Sequence, residues 1–219
     1  MKNIIFIAPP AAGKGTQSSI IEKKYSLPHI STGDILRNES KKDSELGRYI
    51  SEVLDRGSLV KDEVTYELLK DRLSQPDCQN GYVLDGFPRN IEQAYQYDQI
   101  LKDLNQELGF VIELDIDEEI LEKRITGRRV CLDCGAVYNI NSEEEKPKLE
   151  SVCDKCGGKL YQRNDDNVTS FKNRYNLYIE KTQPLLDYYA KKGILYVING
   201  NDSVDNIAKE IDTVLKKGM

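Results

Sequence analysis

The sequence predicts an α/β fold built on a doubly wound parallel sheet, and three observations carry that prediction. Short apolar runs at residues 4–7, 82–85, 110–114 and 194–198 alternate with helix-length amphipathic stretches, as strands do when crossover helices cover both faces of their sheet. The first run leads through A-P-P-A-A-G-K-G-T-Q (8–17) into a helical pattern. Strand, small-residue loop, Gly-Lys and helix together aim backbone N–H groups and a mobile ammonium at an anion, the P-loop arrangement. From Gly127 the periodicity stops, and residues 128–165 are rich in Cys, Gly, Asn, Lys and Glu. That break marks an insertion into the sheet domain.

At 219 residues the chain suits one large domain with insertions. Its net charge of −6 offers no general attraction for nucleic acid or membrane, so an anion site must be a local cluster of cations. No run approaches the ~18 apolar residues of a membrane span, and no signal-peptide pattern opens the chain, which predicts a cytosolic protein. Cysteine usage agrees. Cys131, Cys134, Cys153 and Cys156 form two C-x2-C pairs separated by eighteen residues, and Cys78 stands alone without an evident role. An odd count is not a disulfide framework.

The first helix begins near Lys14 and gives way to an extended stretch at 27–31. Thr32 or Asp34 is expected to cap the next helix, which carries Ile35 and Leu36. A helical face of Leu46, Ile50, Val53 and Leu54 ends at Gly57. Residues 31–60 thus read as a small helical insertion with little core of its own, suited to move. Asp62 is expected to cap a helix buried through Val64, Leu68, Leu69 and Leu73. The strand at 82–85 stops at G-F-P-R (86–89), a helix spans about 91–104, and Asp117 is expected to cap a helix carrying Leu121, Arg124 and Ile125. Inside the break, 137–138 and 159–161 are the strand candidates. A helix over 168–181 is interrupted at Pro184, a further segment carries Leu185 and Tyr189, and a helix with Ile207, Ile211 and Leu215 closes the domain. Ligands of such sheets bind beyond the carboxyl ends of the strands, so Lys14, Asp85 and Arg89 are expected to face one another.

Six stretches together resemble the adenylate kinases in their long-lid bacterial form. They are A-P-P-A-A-G-K-G-T-Q (8–17), S-T-G-D-I-L-R (31–37), G-S-L-V (57–60), D-G-F-P-R-N-I-E-Q-A (85–94), G-R-R-V-C (127–131) and R-N-D-D (163–166), with Arg174 beyond. They span nearly the whole chain in family order. D-G-F-P-R with S-T-G-D-x-x-R is highly specific, whereas the phosphate loop alone is not. The resemblance implies a five-stranded core of P-loop NTPase type (1–30, 61–127 and 166–219), an AMP-binding insertion (31–60) and a lid over the triphosphate (128–165). It implies the reaction MgATP + AMP ⇌ 2 ADP, carried out by a monomer.

Phosphoryl transfer asks for charge neutralisation, positioning and exclusion of water more than for a strong base. By resemblance, Lys14 lies along the donor phosphates, cradled by the backbone of Ala12, Gly13, Gly15 and Thr16. Arg37 and Arg89 hold the AMP phosphate, a task suited to guanidinium forks. Arg124, Arg128, Arg163 and Arg174 surround the ATP phosphates and the transferring group, with Arg163 and Arg174 also on the AMP side. Thr32 and Gln93 bond the AMP base, with Gly33, Gly57, Leu59, Val60 and Gly86 beside it, and Val137 and Tyr138 pack around the ATP adenine. Asp85 orients Mg2+ through its waters. Asp165 and Asp166 are expected to pair with arginines, and His29, the only histidine, to be structural.

The chain departs from the family at Ala8 and Ala11, where glycine is usual. A left-handed backbone costs alanine about 1–2 kcal/mol more than glycine, so the loop either adjusts or binds the donor more weakly. The four lid cysteines have the spacing of a closed tetrahedral Zn2+ site. Such a clip would stiffen the lid and let it swing about hinges near Gly127 and Asp165. Some family members carry hydrogen-bonding residues there instead, so disulfides or no metal are the alternatives. Two other functions compete. A UMP/CMP kinase shares the fold, but the long four-cysteine lid and the Thr32/Gln93 pair favour adenine. A nucleic-acid-binding zinc ribbon on a nucleotide-switched core fits poorly with the acidic run at 143–145.

Overall fold

The computed structural model describes residues 2–218. β1 (Asn3–Ile7) leads through the glycine loop to α1 (Lys14–Tyr25), which returns the chain to the short β2 (His29–Ser31). α2 (Thr32–Glu39) and α3 (Glu45–Asp55) form the first insertion, and α4 (Asp62–Leu73) leads on to β3 (Val83–Asp85). α5 (Ile91–Asp103), β4 (Leu108–Asp115) and α6 (Glu118–Gly127) bring the chain to the second insertion. Its strands are β5 (Arg128–Cys131), β6 (Val137–Asn139) and β7 (Leu160–Tyr161). α7 (Val168–Leu177), a π-helical turn (Tyr178–Thr182), α8 (Pro184–Lys191), β8 (Leu195–Asn199) and α9 (Val204–Lys217) follow.

The main sheet is parallel throughout, in the order β2-β3-β1-β4-β8. β1 is central, which is why its residues after Asn3 are apolar without alternation: Ile4 and Phe6 pack into one core and Ile5 and Ile7 into the other. The first core also takes residues from α1, α6, α7 and α9, and the second from α4, α5 and α8. Each of these buried side chains contributes roughly 1.5–3 kcal/mol by leaving water, so the centre of the sheet is a rigid floor. The insertions are thinner. The first rests on Leu36, Ile50 and Val60 with Leu46, Val53 and Leu54 against them. The second is a small antiparallel sheet, β6-β5-β7, over Cys131, Ala136, Tyr138, Cys153 and Leu160. Among the described residues no helix is long and apolar enough to cross a membrane.

Several expected element ends shift, each for a physical reason. Ser31 rather than Thr32 or Asp34 caps α2, its hydroxyl accepting from the Asp34 N–H at 3.2 Å. Asp62 lies inside the first turn of α4, where Lys61 holds the cap position without a side-chain bond. Its carboxylate accepts from Gln93 Nε2 at 2.5 Å instead. Asp117 does occupy a cap position, but its side chain makes no capping bond. The helix expected to reach Lys181 stops at Leu177 and widens into the π-helical turn. Pro184 begins α8, because a first-turn proline lacks only an N–H that the helix would leave unused. β5 has no counterpart among the expected strands; two arginines in four residues carry no apolar signal.

Candidate active site

The ends of β1, β2 and β3 are level, since Phe6 and Ser31 both lie opposite Asp85. The loops that follow therefore meet over one cleft. The loop after β1 carries two left-handed residues, Ala11 at φ +64° and Gly13 at φ +86°. Glycine takes that conformation freely, while alanine is strained by about 1–2 kcal/mol. Ala8 is not left-handed, and its methyl packs into the core beneath the loop. No side chain caps α1, and Gly13, Lys14, Gly15 and Thr16 line the cavity, so the positive end of that helix addresses it. Lys14 curls back, Nζ donating to the carbonyls of Ala8 at 2.9 Å and Pro9 at 3.0 Å. Burial pulls its ammonium down to about 8, with Asp85 opposing the fall and Arg89, Arg174 and Arg128 adding to it.

The cavity measures about 720 Å3, within the range of small-molecule sites. Arg37, Arg89, Arg124, Arg128, Arg163 and Arg174 all line it together with Lys14. Carboxylates on or behind the walls pair with several of them. Arg128 makes a fork with Asp166, Nε lying 2.8 Å from Oδ2. Arg174 donates to Asp165 at 2.8 Å and Arg37 to Asp34 at 2.5 Å, while Arg163 approaches the same Asp34 carboxylate at 3.8 Å. Arg89 Nε donates to the Gly86 carbonyl at 2.7 Å, and Arg163 Nε is buried without a protein partner. Burial pulls Arg174 down to about 10 and lowers Arg89 and Arg163 as well. At Arg128 burial acts the same way, but Asp166 outweighs it and the net shift is upward. Cations so crowded in a partly desolvated cleft repel one another, and a polyanion relieves that repulsion.

Asp85 sits at the floor. Burial would raise its carboxyl, yet His29, Lys14 and Arg89 hold it below the usual range. His29 Nε2 lies 3.9 Å from Asp85 Oδ2, and the imidazole lines the cavity. The expectation that His29 is structural thus meets a residue on the cleft wall, made more basic by Asp85 although burial opposes this.

The four lid thiols converge. Their sulfurs lie within 4.8 Å of one another, with Cys131–Cys156 at 3.4 Å and Cys134–Cys153 at 3.6 Å. A disulfide would need about 2.05 Å, whereas bonds of about 2.3 Å to one central ion give sulfur–sulfur edges near 3.8 Å. Each C-x2-C turn ends at a left-handed glycine, Gly135 and Gly157. The Tyr138 hydroxyl lies 3.4 Å from Cys153 Sγ and accepts from the Asp154 N–H at 2.8 Å. That hydroxyl and the N–H groups of Cys156 and Lys155 lower the Cys153 thiol, while at Cys156 the Gly158 N–H also lowers but the neighbouring thiols outweigh it and raise that thiol. The set fits a soft tetrahedral ion such as Zn2+, with no fourth position left open for chemistry.

A family model described as Adenylate kinase matches residues 6–194. The chain is 49% identical over 215 residues to an adenylate kinase of Archaeoglobus fulgidus, covering 98% of each chain. The chain belongs to the adenylate kinase family. It is also 48% identical over 208 residues to the adenylate kinase of Acetivibrio thermocellus, covering 95% of each, and 47% identical over 215 residues to that of Clostridioides difficile, covering 98% of this chain and 99% of the relative.

In this adenylate kinase family member most residues singled out in the sequence share the cavity wall. Ala12, Gly33, Gly57, Leu59, Gly86, Val137 and Tyr138 line it along with the cations and the loop. Thr32, Val60 and Gln93 do not: all three are buried behind the wall. The Gln93 amide is engaged with the Arg89 N–H and Asp62, and the Thr32 hydroxyl with the Asp85 carbonyl. Asp165 and Asp166 pair with arginines as expected. Sequence reasoning missed Thr182, which lines the cavity and donates to the Arg89 carbonyl at 2.8 Å. It also missed Asn139 on the lid side. Thr182 follows a run that reads as ordinary helix, so only the widened turn gives it away. Asn139 did carry a signal: two asparagines, Asn139 and Asn141, just after a strand candidate.

Proposed function

We propose that the cleft holds MgATP and AMP end to end for the reaction of this family, MgATP + AMP ⇌ 2 ADP. The observation that carries the reading is the gathering of Lys14 and six arginines, from the sheet domain and both insertions, on one cavity wall. Lys14 and the first-turn N–H groups of α1 bind the donor phosphates. Arg37 and Arg89 take the AMP phosphate, and Arg124, Arg128, Arg163 and Arg174 stabilise charge on the transferring group and the donor. Asp85 would hold the Mg2+ that arrives with ATP by accepting from its waters, and the ion would supply neutralisation of the phosphate charge. No base is required, because positioning and electrostatics supply the catalysis.

Thr32 and Gln93 read the acceptor base only if Gln93 exchanges its present partners, Asp62 and the Arg89 N–H. Val137 and Tyr138 flank the donor adenine, residues 31–60 and 128–165 act as closing parts, and Cys131, Cys134, Cys153 and Cys156 hold structural Zn2+ that keeps the lid rigid. The cysteine set suits a reducing, cytosolic compartment, and a monomer suffices, since one chain supplies every proposed contact.

A coupled assay with ATP as donor and AMP, UMP, CMP or GMP as acceptor tests the assignment. AMP should be preferred at least about tenfold. Preference for UMP or CMP would move the acceptor assignment to the pyrimidine kinases. No transfer to any acceptor, together with nucleic-acid binding at physiological salt, would overturn the kinase reading.

A further inference from the structure

We propose that Asn139 and Asn141 are positioning residues that fix the last turn of α6 and thereby aim Arg124 into the cleft. The proposal rests on the reading of Arg124 as a phosphate-binding cation given above.

A helix leaves its last carbonyls without intrahelical partners. In α6 lid residues meet them. Asn139 Nδ2 donates to the Arg124 carbonyl at 3.3 Å, the Arg128 N–H to Ile125, Gln162 Nε2 to Thr126 at 3.2 Å, and the Ile140 N–H to Gly127 at 2.9 Å. Asn141 Nδ2 reaches one residue further back, to the Lys123 carbonyl at 2.9 Å. The two asparagines also lock each other, the Asn141 N–H donating to Asn139 Oδ1 at 3.0 Å, while the Asn139 N–H donates to the Glu145 carbonyl at 3.0 Å. Gly127 makes the approach possible: a Cβ there would lie 2.1 Å from Asn139 Oδ1 and 2.8 Å from Asn141 Nδ2. The turn so clamped carries Arg124, which lines the cavity. Its guanidinium therefore points wherever the lid's amides hold the turn: removing the Asn139 amide leaves the Arg124 carbonyl unmet, and removing that of Asn141 leaves the Lys123 carbonyl to the Thr126 hydroxyl at 3.2 Å, so in either case the turn is held by fewer bonds and frays more readily.

Steady-state kinetics with MgATP and AMP varied separately test this in N139A, N141A, R124A and the double variant N141A/R124A. N139A and N141A should each raise KM for MgATP by about 3–10-fold and leave KM for AMP within about twofold. Asn139 is buried, so its loss can disturb lid folding; Asn141 is exposed, and N141A should keep the wild-type urea midpoint. In the R124A background, N141A should change KM for MgATP by less than about twofold, because the clamp acts only through the arginine. A full penalty from N141A in that background, or no penalty in the wild type while R124A is impaired, overturns the clamp and leaves the kinase reading standing. An R124A enzyme with unchanged KM for MgATP removes the assignment of Arg124 and the clamp with it.

Discussion

Lys14 shows how a single side chain is held ready at a cost. The unfolded chain titrates it near 10.5, the folded protein at about 8 because of burial and neighbouring guanidinium groups. Between those values the unfolded state holds more protons, so stability of the ligand-free protein rises with pH through that window. Below it the charged ammonium destabilises the fold by at most about 3 kcal/mol. Lys14→Met should accordingly raise the urea midpoint of ligand-free protein at neutral pH, flatten its rise between pH 8 and 10.5, and lower turnover at least about 100-fold. A lower midpoint would contradict the crowding argument. Ala11 and Ala8 separate in the same spirit. Ala11→Gly relieves a left-handed alanine and should stabilise by up to about 1 kcal/mol after the added chain entropy is subtracted. Ala8→Gly relieves nothing, removes a packed methyl, and should destabilise by about 0.5–1 kcal/mol. Opposite signs in denaturant titrations are the expected outcome; equal signs would mean that the left-handed turn is not what matters.

Among the elements, the lid depends most on something other than its own core. Three short strands over a handful of buried residues are marginal without a staple. If the four thiols hold Zn2+ as proposed, its chelation, or Cys131→Ser, should therefore lower the lid's melting transition and separate it from that of the sheet domain in calorimetry. Metal-free protein that keeps one transition at the original Tm would rule out a structural clip. The π-helical turn is a second element-level device. Tyr178 and Thr182 of the turn line the cleft, as do Leu177 just before it and Arg174 and Arg89, and Thr182 ties the turn to the Arg89 backbone. π-turns recur at functional sites for this reason, that they re-aim side chains within a helix.

Across the whole molecule, the sheet is a buried floor and the walls are two thin insertions. Asp34 of the first insertion and Arg163 of the second already approach to 3.8 Å over the cavity. Bound phosphates would add partners for every cation on both walls and draw them together. Site-specific fluorophores at the exposed residues Lys42 and Lys148 should report a shorter distance with donor and acceptor analogues bound together than with either alone. Distances unaffected by nucleotide would mean that the walls do not close.

The sheet strands, the phosphate loop, the four thiols and the cleft arginines were legible in the sequence because each is a local pattern: an apolar run, a Gly-Lys turn, a fixed cysteine spacing, short motifs in family order. Their strengths survive any neighbour. Which group satisfies which polar partner was not legible, since hydrogen bonding is settled between segments far apart in the chain. Ser31 rather than Thr32 caps α2 because Thr32 turns inward to the Asp85 carbonyl, and Gln93 lies behind the wall because Asp62 and the Arg89 backbone claim its amide. β5 and the asparagines on the end of α6 likewise acquire meaning only from what packs against them. The chain's own order thus determined where charge and rigidity reside, and tertiary contact decided where each buried donor and acceptor points, because a buried polar group must find its partner wherever the fold brings one within reach.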